Sequence, residues 1–321
     1  MKTKILNGTE YQQGIFNEIK TKIQEFNKKY NEVPGIAFIA CVGHLPLMKY
    51  TIPLHENAAK QLGFKVKVET LPHTVDQEVF FALVEKLNMD KEIHAIVLLQ
   101  PVPKHINALD VIEKINRDKE IEGFHPQNVI DTLIKGVFKT KYPMCLPVSL
   151  IELFKHFNVQ IKAGQDLVFV ADQDFITDPF RSLILRTSSS QVIPEGCAFS
   201  IINSDNKKIR DYCKKADFLF VLSEKPEFLS PEWLKPGVCI VDIYSNLVNE
   251  IPSKKDPNVL IPIIRGGVNT KSIMNIAGSI APCPGGLMPV LMAVLLRNAC
   301  TAFEFSHSIK SDNTKPHEIY A

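Results

Sequence analysis

The segment that most constrains this chain is residues 280–297, which reads I-A-P-C-P-G-G-L-M-P-V-L-M-A-V-L-L-R. Pro282 and Pro284 each fix φ and lack a backbone N–H, so the first part of the segment must be a stiff, non-helical turn. Two glycines then allow the turn to bend sharply and another group to approach the backbone closely. The run 287–296 is almost wholly apolar and too short to cross a bilayer, so it predicts a buried helix directly after the turn.

Size and composition limit the class of protein. A length of 321 residues predicts one large or two ordinary domains, and a hydrophobic fraction of 45% is enough for an extensive core. The formal net charge is only +2 and the basic residues are spread along the chain, so we expect no nucleic-acid or membrane partner. Because no targeting peptide is visible at the N-terminus, we expect a cytoplasmic protein.

The seven cysteines are isolated in the sequence and form no CxxC pair. This spacing argues against both a zinc site and a disulfide framework, so we expect no bound metal. Most of these cysteines lie in apolar runs and are predicted to be small core residues.

In the first half of the chain, apolar strands alternate with amphipathic helices. Pro53 must interrupt or kink one of these helices, because it cannot donate within the helical ladder. The alternation implies βαβ units and a mostly parallel sheet. Strands are predicted at 35–42, 65–71 and 94–99, and helices at 11–30, 46–62, 76–87 and 108–115.

A second α/β run follows a linking helix at 147–157 and has the spacing of a doubly wound nucleotide-binding domain. Its strands are predicted at 166–171, 198–202, 217–222 and 238–243, with a helix at 179–186. The predicted fold is therefore α/β with two domains, an N-terminal three-layer α/β domain and a C-terminal Rossmann-like parallel-sheet domain. The predicted boundaries are 1–147 and 148–286, with helix 287–306 returning to the first domain and a flexible tail at 307–321.

Further motifs lie elsewhere in the chain, before the proline-glycine turn. Residues 98–106 read L-L-Q-P-V-P-K-H-I directly after a buried strand, where pockets form in parallel sheets. The others are V-G at 42–43 with a glycine at 63, K-E-I-E-G-F-H-P-Q-N at 119–128, V-A-D-Q-D-F-I-T-D-P at 170–179 and W-L-K-P-G-V-C-I-V-D at 233–242. In this order and spacing, they resemble the methylenetetrahydrofolate dehydrogenase/methenyltetrahydrofolate cyclohydrolase family, from about Lys4 to Phe305.

The resemblance implies a folate cleft and assigns residues to it. Tyr50, one position from the family tyrosine, would stack on the folate. Glu122 would accept hydrogen bonds from the pterin ring, because a carboxylate suits a donor-rich aminopyrimidine; from the residues alone, it also fits a solvated acidic turn. The turn residues Pro284, Gly285 and Gly286 match the family and would contribute to substrate binding.

Two catalytic assignments involve a departure from the family. His55 stands where the family has the lysine that acts as acid and base in the cyclohydrolase step. A histidine can titrate near neutral pH and shuttle a proton, although a lone histidine is more often a structural residue. Gln100 is one residue beyond the position of the family's catalytic-site glutamine, which Leu99 occupies, and a local slip of the chain would restore it.

The resemblance also places a dinucleotide phosphate loop for NADP or NAD at 170–179. Here Asp172, Gln173 and Thr177 replace the family's Arg, Ser and second Gly. A phosphate site needs bare N–H groups and positive charge. Each of the carboxylates Asp172, Asp174 and Asp178 would repel a pyrophosphate at about 5 Å by roughly 3 kcal/mol. The alternative interpretation is a capped helix start whose acidic residues favour the helix dipole.

By family, the activity would be oxidation of methylenetetrahydrofolate with NAD or NADP and hydrolysis of the methenyl product. The changes at the lysine position and in the phosphate loop indicate impaired or lost catalysis. The alternative is a non-catalytic folate-binding or regulatory paralogue on the same scaffold, which could pair with active subunits. Family members are typically homodimers joined through the second domain, so we expect a homodimer.

Overall fold

The structure is a computed structural model that describes residues 2–172 and 193–308. The described chain forms two compact units. One contains residues 13–145 and 292–308 and is called the three-strand unit below. The other contains residues 2–12, 146–172 and 193–291 and is called the six-strand unit. The predicted helix at 179–186 lies outside the described residues.

The bounds of the regular elements follow. The strands of the described residues are β1 (Lys4–Ile5), β2 (Gly35–Cys41), β3 (Lys65–Leu71), β4 (Ala95–Leu98), β5 (Asp166–Ala171), β6 (Ala198–Ile202), β7 (Phe218–Leu222), β8 (Cys239–Asp242), β9 (Asn246–Pro252), β10 (Leu260–Arg265) and β11 (Ser279–Ala281). The α-helices, numbered over the same residues, are α1 (Gly8–Tyr30), α2 (Ile52–Leu62), α3 (Gln77–Met89), α4 (Ala108–Lys114), α5 (Pro126–Lys135), α6 (Cys145–Phe157), α7 (Ile209–Lys215) and α8 (Leu287–Ser308). A π-helix at Leu47–Thr51 directly precedes α2.

The three-strand unit is built on a parallel sheet of order β3-β2-β4. Every residue of the central strand β2 is buried, as expected for a continuous apolar run covered on both faces. No residue of β3 is fully buried, which fits its position at the edge of the sheet.

The six-strand unit contains an all-parallel sheet of order β1-β11-β8-β7-β5-β6. The chain passes from β5 outward to β6 and then returns to the other side of β5 at β7. The strand order therefore reverses beside β5, which is the topological switch point of a doubly wound sheet. The predicted two-domain α/β fold with a Rossmann-like sheet is confirmed.

The first residues belong to a different unit from the one predicted. The domain boundary 1–147 assigned residues 1–12 to the N-terminal domain, but β1 pairs in parallel with β11. Leu6 N donates to Ile280 O at 2.7 Å, and Gly8 N donates to Gly285 O at 2.9 Å. These backbone hydrogen bonds fasten the N-terminus to the six-strand unit. The predicted tail at 307–321 begins within α8 and otherwise lies outside the described residues.

The apolar segment after the proline-glycine turn forms α8, whose residues from Met292 onward belong to the three-strand unit. Among the described residues, α8 is the one helix that has the length and hydropathy to cross a membrane, and 72% of its most apolar window is buried within the protein. Such burial is typical of a core helix, as the sequence predicted.

A glycine at the start of β2 provides a test of this packing. A Cβ on Gly35 would lie 1.8 Å from Glu92 O, so Gly35→Ala should force the backbone apart and cost about 1–3 kcal/mol, as overpacking does. Gly14 in α1 has nothing within 4 Å of its Cβ position, so Gly14→Ala should stabilise the protein by about 0.5–1 kcal/mol. Urea unfolding of both variants measures the difference, and equal stabilities would contradict the close approach at Gly35.

Candidate functional site

The three parallel strands of the three-strand unit end at one edge of its sheet. The chain leaves β2 at this edge and enters the π-helix that contains Tyr50. It leaves β4 at the same edge through Leu99, whose N–H donates to Ile39 O at 2.8 Å, and reaches Gln100 one residue later. Tyr50 and Gln100 are therefore carried by segments that follow neighbouring strands.

Residue 120 adds an isolated bridge to this sheet beyond β4. Ile96 N donates to Lys119 O at 2.8 Å, and Ile96 pairs with Glu120 in parallel. Glu122 follows this bridge by two residues, in the turn that contains Gly123. The segments that carry Tyr50, Gln100 and Glu122 thus each follow a strand or a bridge of one sheet.

The predicted helix 46–62 is divided in two. Its first part is the π-helix Leu47–Thr51, closed by a hydrogen bond from Ile52 N to Leu47 O, and α2 follows. Pro53 lies in the first turn of α2, directly after the π-helix. A π turn holds one more residue than an α turn and is frequent at functional sites. It changes the direction of Tyr50 relative to the residues of α2.

His55 is a buried residue of α2. It is 5% exposed, its Nδ1 lies 2.8 Å from Thr51 O, and its ring packs edge-on against Phe38 of β2 at 5.5 Å between centroids. Because a carbonyl oxygen only accepts, Nδ1 must carry a proton and donate. Burial lowers the pKa of His55 to about 4, although the hydrogen bond to Thr51 opposes this. The imidazole is neutral at physiological pH, which is typical of a core histidine.

Gln100 precedes a cis peptide bond to Pro101. Its Oε1 accepts from Val102 N at 3.2 Å, so the side chain folds over the turn that follows β4. Its Nε2 is buried and has no hydrogen-bond partner within residues 2–172 and 193–308. A buried donor without a partner costs about 1–3 kcal/mol, which an acceptor on a ligand would recover.

The carboxylate of Glu120 anchors the turn that carries Glu122. Glu120 is 3% exposed and accepts hydrogen bonds from the backbone N–H of Glu122 at 2.9 Å, Gly123 at 3.1 Å and His125 at 2.9 Å. Gly123 has a φ of +88°, which confirms the tight turn predicted there. Burial raises the pKa of Glu120, while the hydrogen bonds that it accepts lower the pKa.

Glu122 is partly buried, and the pKa of its carboxyl is shifted. Burial raises its pKa to about 8, and the neighbouring Glu120 adds to the shift. A donor-rich ligand would favour the charged form and lower this pKa again. Glu122 is therefore not a fully solvated residue of an acidic turn, and its role in substrate binding stays a prediction.

Sequence reasoning missed Glu120 and the residues that hold its loop. Successive residues of an extended chain face opposite sides, and residues two apart share a side. The pattern E-I-E at 120–122 was therefore a signal that the two carboxylates could act together. Asn298 of α8 was also missed; it is 2% exposed and its Nδ2 donates to Ile121 O at 2.9 Å. A buried asparagine within an apolar helix was the available signal.

The proline-glycine turn belongs to the six-strand unit and follows β11. The bond between Cys283 and Pro284 is cis, and Gly286 N donates to Pro282 O at 2.6 Å. Gly285 has a φ of +102° and its carbonyl accepts from Gly8 N. A Cβ on Gly8 would lie 1.8 Å from Gly286 O, so the turn packs closely on the start of α1. The stiff turn before a buried helix is as predicted.

Asp172 lies directly after β5, at the switch point. Its Oδ1 accepts from Ser204 N at 3.0 Å, and its Oδ2 accepts from Ser223 Oγ at 2.6 Å and from Glu224 N at 3.1 Å. Burial alone would raise its pKa, but these hydrogen bonds hold the pKa of Asp172 below its usual value. The carboxylate thus links the loops that follow β6 and β7. Gln173 and Thr177, also predicted at this site, lie outside the described residues.

Asp242 has a similar role at the end of β8. It is 1% exposed and accepts from Gly267 N at 3.0 Å and Val268 N at 3.1 Å. A Cβ on Gly266 would lie 1.9 Å from Asp242 Oδ2, so the loop approaches closely. Burial raises the pKa of Asp242 to about 8 against the effect of these two hydrogen bonds.

Comparison with known proteins assigns both units. Residues 6–122 match the model of the tetrahydrofolate dehydrogenase/cyclohydrolase catalytic domain. Residues 144–307 match the model of the NAD(P)-binding domain of the same enzymes. The chain belongs to the tetrahydrofolate dehydrogenase/cyclohydrolase family. The family resemblance of the sequence motifs is therefore confirmed.

Relatives match this family member along almost all of its length. The bifunctional protein FolD of Desulfosudis oleivorans is 33% identical over 305 residues, which are 95% of this chain and 98% of the relative. The bifunctional protein FolD of Desulfotalea psychrophila is 32% identical over 308 residues, covering 96% and 100%.

Solved structures of the tetrahydrofolate dehydrogenase/cyclohydrolase family have the same fold as this chain. The FolD methylenetetrahydrofolate dehydrogenase/cyclohydrolase of Campylobacter jejuni has a TM-score of 0.76 at 25% identity, covering 95% of this chain and 99% of that one. The Trypanosoma brucei FolD, whose crystal contains NADP and an inhibitor, has a TM-score of 0.80 at 23% identity, covering 96% and 99%.

The environment of His55 predicts a structural role. His55→Leu should leave any hydrolysis of methenyltetrahydrofolate unchanged, whereas loss of a general acid–base group would reduce the rate by about 10²–10⁴-fold. The free energy of unfolding of the parent should fall as the pH falls from 6.5 toward 4. In this range His55 becomes protonated in the unfolded chain but stays neutral in the folded protein, so protonation favours unfolding. The variant should lose less stability over this window, as measured by urea unfolding at pH 4.5 and 7. A large loss of activity at unchanged stability would identify His55 as a catalytic residue instead.

Proposed function

We propose that this chain binds a tetrahydrofolate derivative in the cytoplasm and that both reactions of its family are impaired. The observation that carries the proposal is the environment of His55, at the position where the family resemblance puts the proton-transferring lysine. The chain has no lysine between Lys49 and Lys60, and His55 is neutral, buried and hydrogen-bonded to the backbone of its own helix.

Folate binding is supported by the carboxyl edge of the three-strand unit. Glu122 offers a carboxyl to the donors of an aminopyrimidine, and the anchored carboxylate of Glu120 holds its backbone. The buried Nε2 of Gln100 offers a donor that remains unused among the described residues. An acceptor and a donor on segments beside the same strand suit a heterocycle that carries both kinds of group.

The nucleotide half of the proposal rests on Asp172. NADP or NAD would bring a pyrophosphate to the carboxyl edge of the six-strand sheet, near the switch point. There the described residues do not fit an anion, because a carboxylate already accepts from Ser204 N and Glu224 N. Negative charge in place of free N–H groups opposes phosphate binding, so we expect weak affinity for the dinucleotide.

Measurements on the purified protein test this function. Calorimetry with 5-formyltetrahydrofolate should show binding, whereas NADP and NAD should bind only in the millimolar range. Dehydrogenase and cyclohydrolase rates should fall at least about 10²-fold below those of the FolD relative from Desulfosudis oleivorans, in line with the loss of one acid–base group.

The outcomes separate the candidate functions. Rates within tenfold of the relative, together with micromolar NADP affinity, would contradict the proposal and indicate an active bifunctional enzyme. Folate binding with no measurable turnover would indicate the non-catalytic folate-binding paralogue. Absence of folate binding would rule out both forms of the proposal.

We also propose that the protein is a homodimer joined through the hairpin β9–β10. This antiparallel ribbon forms a sheet of its own, and such two-stranded ribbons are marginal in water without a covering surface. Ile251 and Ile261 are cross-strand neighbours, and both are more than 40% exposed. Val248, Val259 and Leu260 are similarly exposed, and a cluster of this kind is typical of a protein interface. A second copy would present the same apolar hairpin.

Charge introduced on the hairpin tests the dimer. Ile251→Lys should convert a dimer into a monomer in light scattering coupled to size exclusion, because an unpaired charge cannot be buried in an apolar contact. Val79 of α3 is comparably exposed but lies in the three-strand unit, so Val79→Lys is the matched control and should remain dimeric. A parent that runs as a monomer, or a dimeric Ile251→Lys protein, would contradict this interface.

A further inference from the structure

We propose that Asn298 is a positioning residue that holds the backbone of Glu122 in the geometry needed to bind the ligand. This inference rests on the proposed binding of a reduced folate. It concerns a side chain that acts on Glu122 through the preceding peptide, whose carbonyl it hydrogen-bonds.

The first step is the hydrogen bonding of Asn298. Its Nδ2 donates to Ile121 O at 2.9 Å and to Cys145 Sγ at 3.4 Å. Ile121 directly precedes Glu122, so its carbonyl belongs to the peptide unit that orients Glu122. Asn298 is 2% exposed within α8, and a polar side chain at such a position is retained only where its hydrogen bonds are satisfied.

The second step is that every peptide group around Glu122 is fixed. Its N–H donates to the carboxylate of Glu120 at 2.9 Å. Its C=O accepts from Cys145 N at 2.9 Å, and the C=O of Ile121 accepts from Asn298. Glu120 and Cys145 therefore hold the residue from the N–H and C=O sides, while Asn298 adds a hydrogen bond from α8.

A glutamate at this position depends on a fixed backbone more than an aspartate would. A glutamate carboxyl has one more rotatable bond than an aspartate, so its position is less well determined by the backbone alone. Binding groups must be held within about 0.5 Å of the productive geometry, and a shift of about 1 Å can cost 10²-fold. A fixed peptide on each side of Glu122 limits the volume that its carboxyl explores.

The groups that face this position also decide its titration. Glu120 and Cys145 lie beside Glu122, and Arg297 acts electrostatically on Cys145. Burial first, and then Glu120, raises the pKa of Glu122 to about 8. Only the ionised carboxylate accepts two hydrogen bonds from the ligand, so affinity should increase as the pH rises through this value. If the anchored turn loosens, water reaches the carboxyl, and the inflection should move to lower pH.

The experiment compares Asn298→Leu, which has a similar size but no donor and adds no charge, with Asn298→Ser, which shortens the side chain. The matched control is Asn246→Leu in the six-strand unit, where the Nδ2 of a similarly buried asparagine donates to Ser223 O at 3.1 Å. Circular dichroism and thermal melting select folded variants. Calorimetry with 5-formyltetrahydrofolate from pH 6 to 9 and hydrogen exchange of residues 121–125 are then measured.

For either folded Asn298 variant, we expect at least tenfold weaker binding, at least tenfold faster exchange at residues 121–125, and an inflection in the affinity profile at lower pH than in the parent. Asn246→Leu should leave all three within about twofold, because the partner of Asn246 is Ser223 and not the turn that carries Glu122. Unchanged affinity or an unchanged pH inflection in both Asn298 variants would overturn the positioning role, even if exchange is faster. A parent that does not bind 5-formyltetrahydrofolate would overturn the proposed function itself, and with it this role.

Discussion

Carboxylates that accept hydrogen bonds from backbone N–H groups organise the functional edges of both units. Where parallel strands end, the following loops contain N–H groups that no strand or helix satisfies, and burying them without acceptors is costly. Glu120 provides the acceptor for the turn 122–125, Asp242 for the loop at 267–268, and Asp172 for the loops after β6 and β7. In each case, one carboxylate accepts hydrogen bonds from two or more backbone N–H groups and so fixes the conformation of the loop.

This arrangement has opposite consequences at the two edges. In the three-strand unit, Glu120 uses its carboxylate internally, and Glu122 on the same turn remains partly exposed for an external donor. In the six-strand unit, Asp172 accepts from amides of the loops after β6 and β7, at the switch point. Family membership identifies the scaffold, while the hydrogen bonds at each edge show which carboxylates are used within the protein.

The sequence predicted the parallel sheets well, because apolar runs that alternate with amphipathic helices leave few other arrangements. It also predicted the turn at Gly123 and the stiff segment before α8, since proline and glycine act through local backbone geometry. The ribbon β9–β10 was missed, because the prediction rested on strands that alternate with helices and this antiparallel hairpin is not part of a βαβ unit. Asn298 was missed as a site residue because its partner Ile121 is 177 positions away.

What the sequence by itself determined is the family, the two α/β units and the identity of the residues at each motif position, because these depend on local pattern and spacing. Only the tertiary structure decided the charge states and hydrogen-bond partners of those residues. His55 could have been a proton shuttle or a core residue, and burial against Phe38 together with the hydrogen bond to Thr51 made it neutral. Asp172 could have capped a helix or repelled a phosphate, and its partners proved to lie in loops 32 and 51 residues away. Charge state and hydrogen-bond partner depend on which groups surround a side chain in space, and that is decided only when distant segments pack together.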